Sequence, residues 1–384
     1  MKVPLLDLKP QNLALAPELR SAFERVLASG QFILGPEVDA FERSAAEVTG
    51  TRHAIGVSSG TDAILLALMA LGIKAGDEVL CPSFTFFATA GCIARVGATP
   101  VFVDSCPACF NLDVGDASKR VTSRTKAIIP VHLFGQTAEM DAVLQLAREH
   151  NLRVIEDAAQ ALGSAYRGKP AGSMGDFGTF SFFPSKNLGG FGDSGLLSTN
   201  DDELAERARV LRNHGAKPKY FHGSVGGNFR IDALQAALLA VKLARLKEYS
   251  ARRRENAVYY SERLGALPGV ATSEPDRKTR GIQLLLPSAY AHNEHIWNQY
   301  TVRVLGGRRD ALREHLAARE IGAEIYYPLP LHRQECFLSG GAPPVSLPAC
   351  EKLASQCLSL PIYPDLSRPQ QDEVVEAIAE FLRA

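Results

Sequence analysis

The stretch "HAIGVSSGTDAILLALMALG", residues 53–72, decides the fold. It opens with a short apolar run, "HAIGV", which is typical of a buried strand. From residue 61 it continues with apolar residues over the length of a helix, and Gly72 stands where that helix would end. A strand that passes directly into a helix through the polar turn "SSG" predicts the first unit of an α/β fold.

Similar units follow along the chain up to about residue 200. "EMDAVLQLAREH", residues 139–150, has the pattern of an amphipathic helix and separates two apolar runs. Runs that are almost continuously apolar suit strands buried on both faces of a parallel or mostly parallel sheet. Four further predicted strands have this character: "EVLCPS", "TPVFVD", "KAIIPVHL" and "LRVIEDAA". The alternation predicts an α/β domain with helices on both sides of its sheet.

The remaining sequence predicts a second, smaller unit. "DDELAERARVLRNHG", residues 201–215, is a helix with acidic residues in its first turn and a glycine past its end. A long helical stretch, residues 230–264, then leads into a C-terminal part. That part mixes the strand "NQYTVRVL" with the helices "RRDALREHLAARE" and "QQDEVVEAIAEFLR".

Composition and charge argue against several classes of protein. The 42 Lys and Arg residues balance 42 Asp and Glu residues, so nothing favours a nucleic acid or an anionic membrane as a partner. No apolar stretch reaches the ~18 residues of a membrane-spanning helix, and the N-terminal segment lacks the apolar core of a signal peptide. Seven cysteines, an odd number, suit a reducing compartment. We therefore expect a cytoplasmic protein.

One cysteine pair, "CPAC" at residues 106–109, raises the question of metal or redox chemistry. A zinc site needs a second such pair or nearby histidines at ligand spacing, and the sequence has neither. The sequence alone therefore favours neither use and predicts no metal site.

Two polar turns follow predicted strands, and ligands of open α/β sheets bind at the carboxyl ends of strands. Gly60 and Thr61 lie at the start of the first helix, where free N–H groups and the helix dipole favour a phosphate. A plain helix N-cap explains them equally well. Asp157, in "VIEDAAQALG" (154–163), ends a buried strand, where a carboxylate needs a partner. That partner is the cationic group of a ligand, or else the residue is an N-cap or half of an internal ion pair.

A third candidate is Lys186, in "TFSFFPSKN" at residues 179–187. We expect Phe180, Phe182 and Phe183 to crowd its ammonium, and such desolvation lowers the pKa of a lysine. A neutral amine is the nucleophile that forms Schiff bases. The alternative is a lysine whose methylene groups are buried while its ammonium extends into the solvent.

The three features fit one cofactor better together than separately. Pyridoxal 5′-phosphate needs an anion cradle, an amine for its aldehyde and a carboxylate that faces its pyridinium nitrogen. Gly60 with Thr61, Lys186 and Asp157 offer these groups in one α/β region.

From these residues outward, the sequence resembles the DegT family of pyridoxal-phosphate-dependent sugar aminotransferases. The resemblance runs from "VPLLDLKPQ" and "GQFILGPEV" to "CLSLPIYPD" and so covers nearly the whole chain. It is carried chiefly by "SSGTDA", "CPSFTFFATA", "IIPVHLFGQ", "VIEDAAQALG", "FSFFPSKNLGGFGDSG", "GGNFRIDALQAA" and "YYPLPLH". It implies a fold-type-I transferase, with a large domain over residues 1–250, including an N-terminal arm, and a smaller C-terminal α+β domain over 251–384.

The resemblance also implies roles for individual residues. Lys186 matches the Schiff-base lysine, and Asp157 matches the partner of the pyridine nitrogen. The implied cofactor contacts further comprise Gly60, Thr61 and Ser181 at the phosphate, Phe86 stacked on the ring, Gln160 at the phenolic oxygen, and Asn228 at the phosphate of the neighbouring subunit. The last role implies a homodimer with composite active sites. Arg230, Tyr327 and His332 match positions where substrate contacts occur, although a helix-end salt bridge explains Arg230 as well.

The implied reaction moves an amino group from glutamate, which becomes 2-oxoglutarate, to a nucleotide-linked keto sugar for amino-sugar biosynthesis. "SGTDA" and "PSKNLG" favour acceptors with a 3-keto group over 4-keto sugars. Two alternatives remain: a lyase of the sugar-dehydratase type, in which histidine replaces the lysine, and a non-catalytic regulator with the same fold.

Overall fold

The computed structural model describes residues 2–272, 281–338 and 345–384. Its strands are β1 (His53–Val57), β2 (Glu78–Pro82), β3 (Thr99–Val103), β4 (Thr125–Ile128), β5 (Arg153–Asp157), β6 (Ala165–Tyr166), β7 (Lys169–Pro170), β8 (Phe177–Ser181), β9 (Gly195–Thr199), β10 (Val270–Ala271), β11 (Leu284–Leu285), β12 (Asn293–Glu294), β13 (Tyr300–Val304) and β14 (Cys357–Leu360).

Its helices are α1 (Lys9–Ala14), α2 (Ala16–Ser29), α3 (Pro36–Thr49), α4 (Gly60–Ala70), α5 (Ala88–Arg95), α6 (Val114–Lys119), α7 (Met140–His150), α8 (Asp202–Arg212), α9 (Ala233–Leu243), α10 (Leu246–Gly265), α11 (Arg309–Ala318), α12 (Glu335–Leu338), α13 (Pro348–Gln356) and α14 (Arg368–Arg383). Leu133–Gly135 and Leu331–Arg333 form short 3₁₀ helices.

A seven-stranded sheet in the order β1-β9-β8-β5-β4-β2-β3 forms the centre of the fold. Of its strands only β9 runs against the others, because β9 pairs antiparallel with both β1 and β8 while the remaining pairs are parallel. The prediction of a mostly parallel sheet is therefore confirmed. The parallel strands also direct their carboxyl ends to one edge, which is where the candidate residues of the sequence lie.

Helices cover both faces of this sheet, as the continuous apolar strands predict. Ile55 and Leu197 point to one face, where they pack with α4, α5 and α8. Ala54 and Leu196, their neighbours in sequence, point to the other face and pack with α2, α3 and α9. Farther along that second face, α6 and α7 cover β4 and β5. The α/β fold is thus confirmed.

A four-stranded sheet, β10-β11-β13-β14, forms the core of the C-terminal part together with α10, α11, α13 and α14. The same core includes Phe84, Phe110 and Phe134, which come from loops after strands of the large sheet. The C-terminal part therefore packs on the edge of the large sheet that carries the candidate residues. The helical stretch 230–264 is two helices, α9 and α10. The predicted boundary after residue 250 lies within α10, and the division into two domains stays a prediction.

None of the helices in the described residues combines the length and the apolar character needed to cross a membrane. The same residues hold no group of three or more His, Cys, Asp or Glu side chains that is arranged to bind a metal ion.

Candidate active site

Asp157 is a buried carboxylate at the carboxyl end of the central strand β5, with 4% of its surface exposed. The hydroxyl of Thr89, in α5, donates a hydrogen bond of 2.8 Å to Oδ2, and the backbone N–H of Ala159 donates to Oδ1 over 3.2 Å. Burial raises the pKa of Asp157, while these hydrogen bonds and the charge of Lys186 act in the opposite direction. A carboxylate that is desolvated and held in this way is suited to a cation brought by a ligand.

Lys186 follows β8 in a tight turn, in which its backbone N–H donates to the carbonyl of Phe183 over 2.9 Å. Burial lowers the pKa of Lys186 to about 8, although the nearby charge of Asp157 favours the ammonium. In the described part of the chain, its Nζ atom forms neither a hydrogen bond nor an ion pair. An amine that is desolvated, without a partner and near a carboxylate is available for covalent chemistry.

The contacts of the three phenylalanines near Lys186 in sequence give no support to the prediction that they crowd its amine. Phe180 and Phe182 are fully buried in the core between the sheet and α2, α3 and α9, where Phe182 meets Phe41 edge-on at 5.6 Å. Phe183 is 51% exposed.

Glu156, the neighbour of Asp157, takes the structural role that the sequence left open. It is fully buried, and its carboxylate lies 2.9 Å from Nε2 of His132. It also accepts hydrogen bonds from the backbone N–H groups of Gly172, Met174 and Gly175 at 2.7–2.8 Å. The internal partner that we considered for Asp157 is thus found at Glu156, which pairs with His132. Asp157 remains available to contact a ligand.

Gln160, Tyr327 and Phe86 lie close together beyond the end of β5. Oε1 of Gln160 accepts a hydrogen bond of 2.7 Å from the N–H of Phe134, and its Nε2 donates to the hydroxyl of Tyr327 over 3.2 Å. The Phe86 ring lies 6.1 Å from the Tyr327 ring at an angle of 44°. Because Phe86 is 56% exposed, its ring is free to stack on a ligand. The structure therefore brings three of the predicted residues together.

The start of α4 and the end of β8 meet at the predicted phosphate site. Ser59 caps α4 by accepting a hydrogen bond of 3.0 Å from the N–H of Asp62. This cap leaves the N–H groups of Gly60 and Thr61, in the first turn, without an intrahelical partner. A Cβ atom on Gly60 would lie only 2.7 Å from Cβ of Ser181. The glycine thus permits the close approach of the serine to the helix start, and the N-cap at Ser59 is compatible with the predicted phosphate site.

Asn228 and Arg230 lie on another side of the same turn, beside β1. With Ser58 and Asp193 they line a cavity of about 210 Å³. Asn228 is exposed. The guanidinium of Arg230 donates to Oδ1 of Asn213 over 2.7 Å, and its buried Nε has no partner among the described residues. The same residues offer Arg230 no ion pair, so a helix-end salt bridge does not account for it.

His332 has both ring nitrogens occupied by the protein itself. Its Nδ1 lies 2.6 Å from the hydroxyl of Ser83, which follows β2, and its Nε2 lies 3.1 Å from Oε1 of Glu351 in α13. The side chain is buried, and burial lowers its pKa. These contacts indicate that His332 ties the C-terminal part to the end of β2, and they leave its predicted substrate contact without support.

Sequence reasoning missed Thr89 and His132, which hold the two carboxylates. His132 belongs to "IIPVHLFGQ", the segment that follows the neighbouring strand β4. Adjacent parallel strands end at the same edge, so a histidine after one strand and acidic residues after the next were a usable signal. Thr89 gave no such signal, because an isolated threonine in an apolar helix has no distinctive pattern.

Comparison with known proteins places the chain in a family. Residues 14–379 match the model of the DegT/DnrJ/EryC1/StrS aminotransferase family. A curated relative from Geobacillus stearothermophilus, named "Pleiotropic regulatory protein", is 47% identical over 100% of this chain and 99% of its own length.

A relative from Streptomyces venezuelae, named "dTDP-3-amino-3,4,6-trideoxy-alpha-D-glucose transaminase", is 44% identical over 99% of this chain and 96% of its own length. The crystal structure of S. venezuelae DesV in complex with a ketimine intermediate superposes with a TM-score of 0.92 and 44% identity. That superposition covers 100% of this chain and 99% of the other.

Proposed function

Because the chain belongs to the DegT/DnrJ/EryC1/StrS aminotransferase family, we propose that it transfers an amino group from glutamate to a keto sugar carried on a nucleotide. The observation that carries the proposal is the pair formed by Lys186, an amine with a lowered pKa and no partner among the described residues, and Asp157, a buried carboxylate. We favour a 3-keto over a 4-keto acceptor, and the Streptomyces relative supports this choice because its name specifies a 3-amino sugar.

The residues of the site fit pyridoxal 5′-phosphate, the cofactor of this family. The amine of Lys186 is chemically suited to the aldehyde, and the carboxylate of Asp157 suits a protonated ring nitrogen. The N–H groups of Gly60 and Thr61, with the hydroxyl of Ser181, would hold the phosphate. Phe86 would stack on the ring and Gln160 would contact the phenolic oxygen. When bound, the cofactor supplies an electron sink for the carbon that loses a proton.

The protein's own residues would orient the substrate and move the proton. Lys186 is the proposed general base and acid at the carbon that carries the amino group, and a pKa near 8 suits proton transfer close to neutral pH. The hydrogen bond from Thr89 orients the carboxylate of Asp157 and so favours its contact with a cation beside it. Gln160 fixes the hydroxyl of Tyr327, which is the proposed polar contact for the sugar. Arg230, whose Nε has no partner in the described part of the chain, is the proposed contact for a carboxylate.

A homodimer with composite sites is part of the proposal. Asn228 is exposed and has no described contact with the group formed by Gln160 and Tyr327, which is consistent with a contribution to the phosphate of a partner subunit. Exposed aromatic rings near the site, including Phe86 and Phe87, would be covered by that partner. We also propose a cytoplasmic location, which the odd number of cysteines supports.

The name of the Geobacillus relative raises a regulatory function as a second candidate. A non-catalytic regulator has no requirement for a reactive amine, and the chain retains Lys186 together with Asp157 and Ser181. A lyase of the dehydratase type has a histidine in place of the lysine, and position 186 is lysine. Both alternatives are therefore weaker than the transaminase.

The test is an assay of the purified protein with glutamate and a panel of dTDP- and UDP-linked 3-keto and 4-keto sugars, with formation of 2-oxoglutarate as the readout. We expect ping-pong kinetics and a higher kcat/KM for 3-keto acceptors. The Lys186→Ala variant, at matched concentration, controls for contaminating transaminases. Failure of every sugar with an active cofactor site would point to another carbonyl substrate, and a preference for 4-keto sugars would overturn the positional choice.

A further inference from the structure

Cys106 and Cys109 occupy one tight turn between β3 and α6. The N–H of Cys106 donates to the carbonyl of Asn111, and the N–H of Phe110 donates to the carbonyl of Cys106, each over 2.8 Å. Just outside this turn, Ser105 pairs with Leu112 in an antiparallel bridge. Sγ of Cys106 lies 3.8 Å from the hydroxyl of Tyr290, and the two thiols are near enough for each to shift the pKa of the other. The backbone of this turn therefore holds the two cysteines close together before any bond joins their sulfur atoms.

The two thiols differ in exposure and in pKa, as the attacking and the resolving thiol of a dithiol site do. Cys106 is partly exposed, whereas Cys109 is 4% exposed. The hydrogen bond from Cys109 lowers the pKa of Cys106 to about 5, with help from the N–H groups of Cys109 and Ala108. The same contact and burial raise the pKa of Cys109. At neutral pH the accessible sulfur is thus a thiolate that can attack, and the buried one is a thiol that can resolve.

The other buried cysteines lack these properties. Cys81, Cys92, Cys350 and Cys357 are buried, and burial raises the pKa of each thiol. Such thiols are inert as nucleophiles because little thiolate is present. Cys336 is exposed, but none of the other six cysteines neighbours it in sequence.

We propose that Cys106 and Cys109 form a dithiol site that small-molecule disulfides, such as glutathione disulfide, oxidise reversibly to an intramolecular disulfide. In the first step, the Cys106 thiolate attacks one sulfur of the small disulfide, forms a mixed disulfide and releases one small thiolate. In the second, the Cys109 sulfur loses its proton to solvent, attacks Sγ of Cys106 and releases the second thiolate. Two thiols of the protein are oxidised and one small disulfide is reduced to two thiols, so electrons and protons balance.

A disulfide between Cys106 and Cys109 would form close to residues that pack beside the candidate active site. Phe110 directly follows Cys109, and its ring packs edge-on against Phe134 at 5.2 Å. The N–H of Phe134 in turn holds Gln160 in the candidate active site. A bond between the two sulfur atoms would therefore form one residue away from the packing that orients this glutamine.

The test exposes the holoenzyme to a series of glutathione redox buffers, followed by acid quenching and alkylation. The tryptic peptide 96–119 contains both cysteines, and mass spectrometry reads its state. We expect this peptide to lose two hydrogen atoms as the buffer becomes more oxidising and to regain them with dithiothreitol. Because the wild-type protein is used, the result does not depend on the folding of any variant. A peptide that stays fully reduced in the most oxidising buffer, or that carries only glutathione, would overturn the proposal.

Three variants sharpen the test. Cys109→Ser should stop at a glutathione adduct on Cys106, because the resolving sulfur is absent. Cys106→Ser should slow the reaction of position 109 with glutathione disulfide by about tenfold or more, since the remaining thiol is buried and protonated. Cys336→Ser is the matched control and should leave the oxidation of peptide 96–119 unchanged. Equal rates for Cys106→Ser and Cys109→Ser would contradict the assignment of the attacking sulfur.

Discussion

The lowered pKa of Lys186 makes a quantitative prediction about how the amine captures an aldehyde. The difference between the ordinary value of 10.5 and about 8 corresponds to roughly 3 kcal/mol against the ammonium form. At pH 7, about a tenth of the Lys186 side chains are then neutral, which is roughly 300 times the neutral fraction of an ordinary lysine. The rate of capture should therefore rise about tenfold per pH unit below pH 8 and level off above it.

Stopped-flow absorbance at ~410–430 nm, after pyridoxal 5′-phosphate is mixed with apoenzyme between pH 6 and pH 10, measures this rate. Nα-acetyllysine, measured in the same buffers, corrects for the titration of the cofactor itself. A rate that still rises tenfold per unit up to pH 10 would refute the argument, because the amine would then have an ordinary pKa.

The Asp157→Asn variant tests whether the charge of Asp157 raises or lowers the pKa of Lys186. The carboxylate of Asp157 favours the ammonium of Lys186 and so raises its pKa. Its removal should shift the midpoint of the pH profile to lower pH, while the asparagine keeps an oxygen for the hydrogen bond from Thr89. A midpoint that moves upward would show that another group controls this lysine.

Three further substitutions test the supports of the site. Thr89→Val removes the hydrogen bond of 2.8 Å to Asp157 and should raise the dissociation constant of the cofactor about tenfold or more, as measured by equilibrium titration. Glu156→Gln leaves buried N–H donors without acceptors and should lower the free energy of unfolding by about 3 kcal/mol in urea. Gly60→Ala sets a Cβ 2.7 Å from Cβ of Ser181 and should cost about 1–3 kcal/mol of stability and also weaken cofactor binding.

Each of these predictions has a matched control within the chain. Thr85→Val changes a buried threonine that contacts Thr89 but not the carboxylate, and should leave cofactor affinity nearly unchanged. Asp202→Asn removes an exposed carboxylate and should alter stability by less than about 1 kcal/mol. Gly223→Ala adds a Cβ with nothing within 4 Å. If a control had the same effect as its partner substitution, the contact named for that position would not be the cause.

The sequence predicted the central architecture because strand burial leaves a strong pattern. Runs such as "KAIIPVHL" are apolar on both faces, and only a sheet covered by helices on both sides buries them. The position of Asp157 at a strand end and of Gly60 at a helix start followed from the same alternation. The structure confirms these elements, and the long helical stretch predicted over 230–264 consists of two helices. Nothing in the apolar periodicity marks the short break between α9 and α10.

Side-chain contacts between segments that are distant along the chain could not be predicted from the sequence. Nothing local distinguishes Glu156 from Asp157, and only the approach of His132 and the 172–175 turn gives the first of them a structural role. The predicted crowding of Lys186 by phenylalanines rested on nearness in sequence, whereas Phe180 and Phe182 pack in the core and Phe183 is exposed. His332 was assigned by motif position, whereas its contacts with Ser83 and Glu351 depend on how the C-terminal part packs.

The most direct test of the central claim is reduction of the holoenzyme with labelled borohydride, followed by peptide mapping. If Lys186 is the amine that holds pyridoxal 5′-phosphate, the absorbance band near ~410–430 nm should disappear on reduction. One equivalent of label should then be found on the peptide that contains this lysine. Label on a different lysine, or a band that survives reduction while Lys186 remains unmodified, would contradict the account.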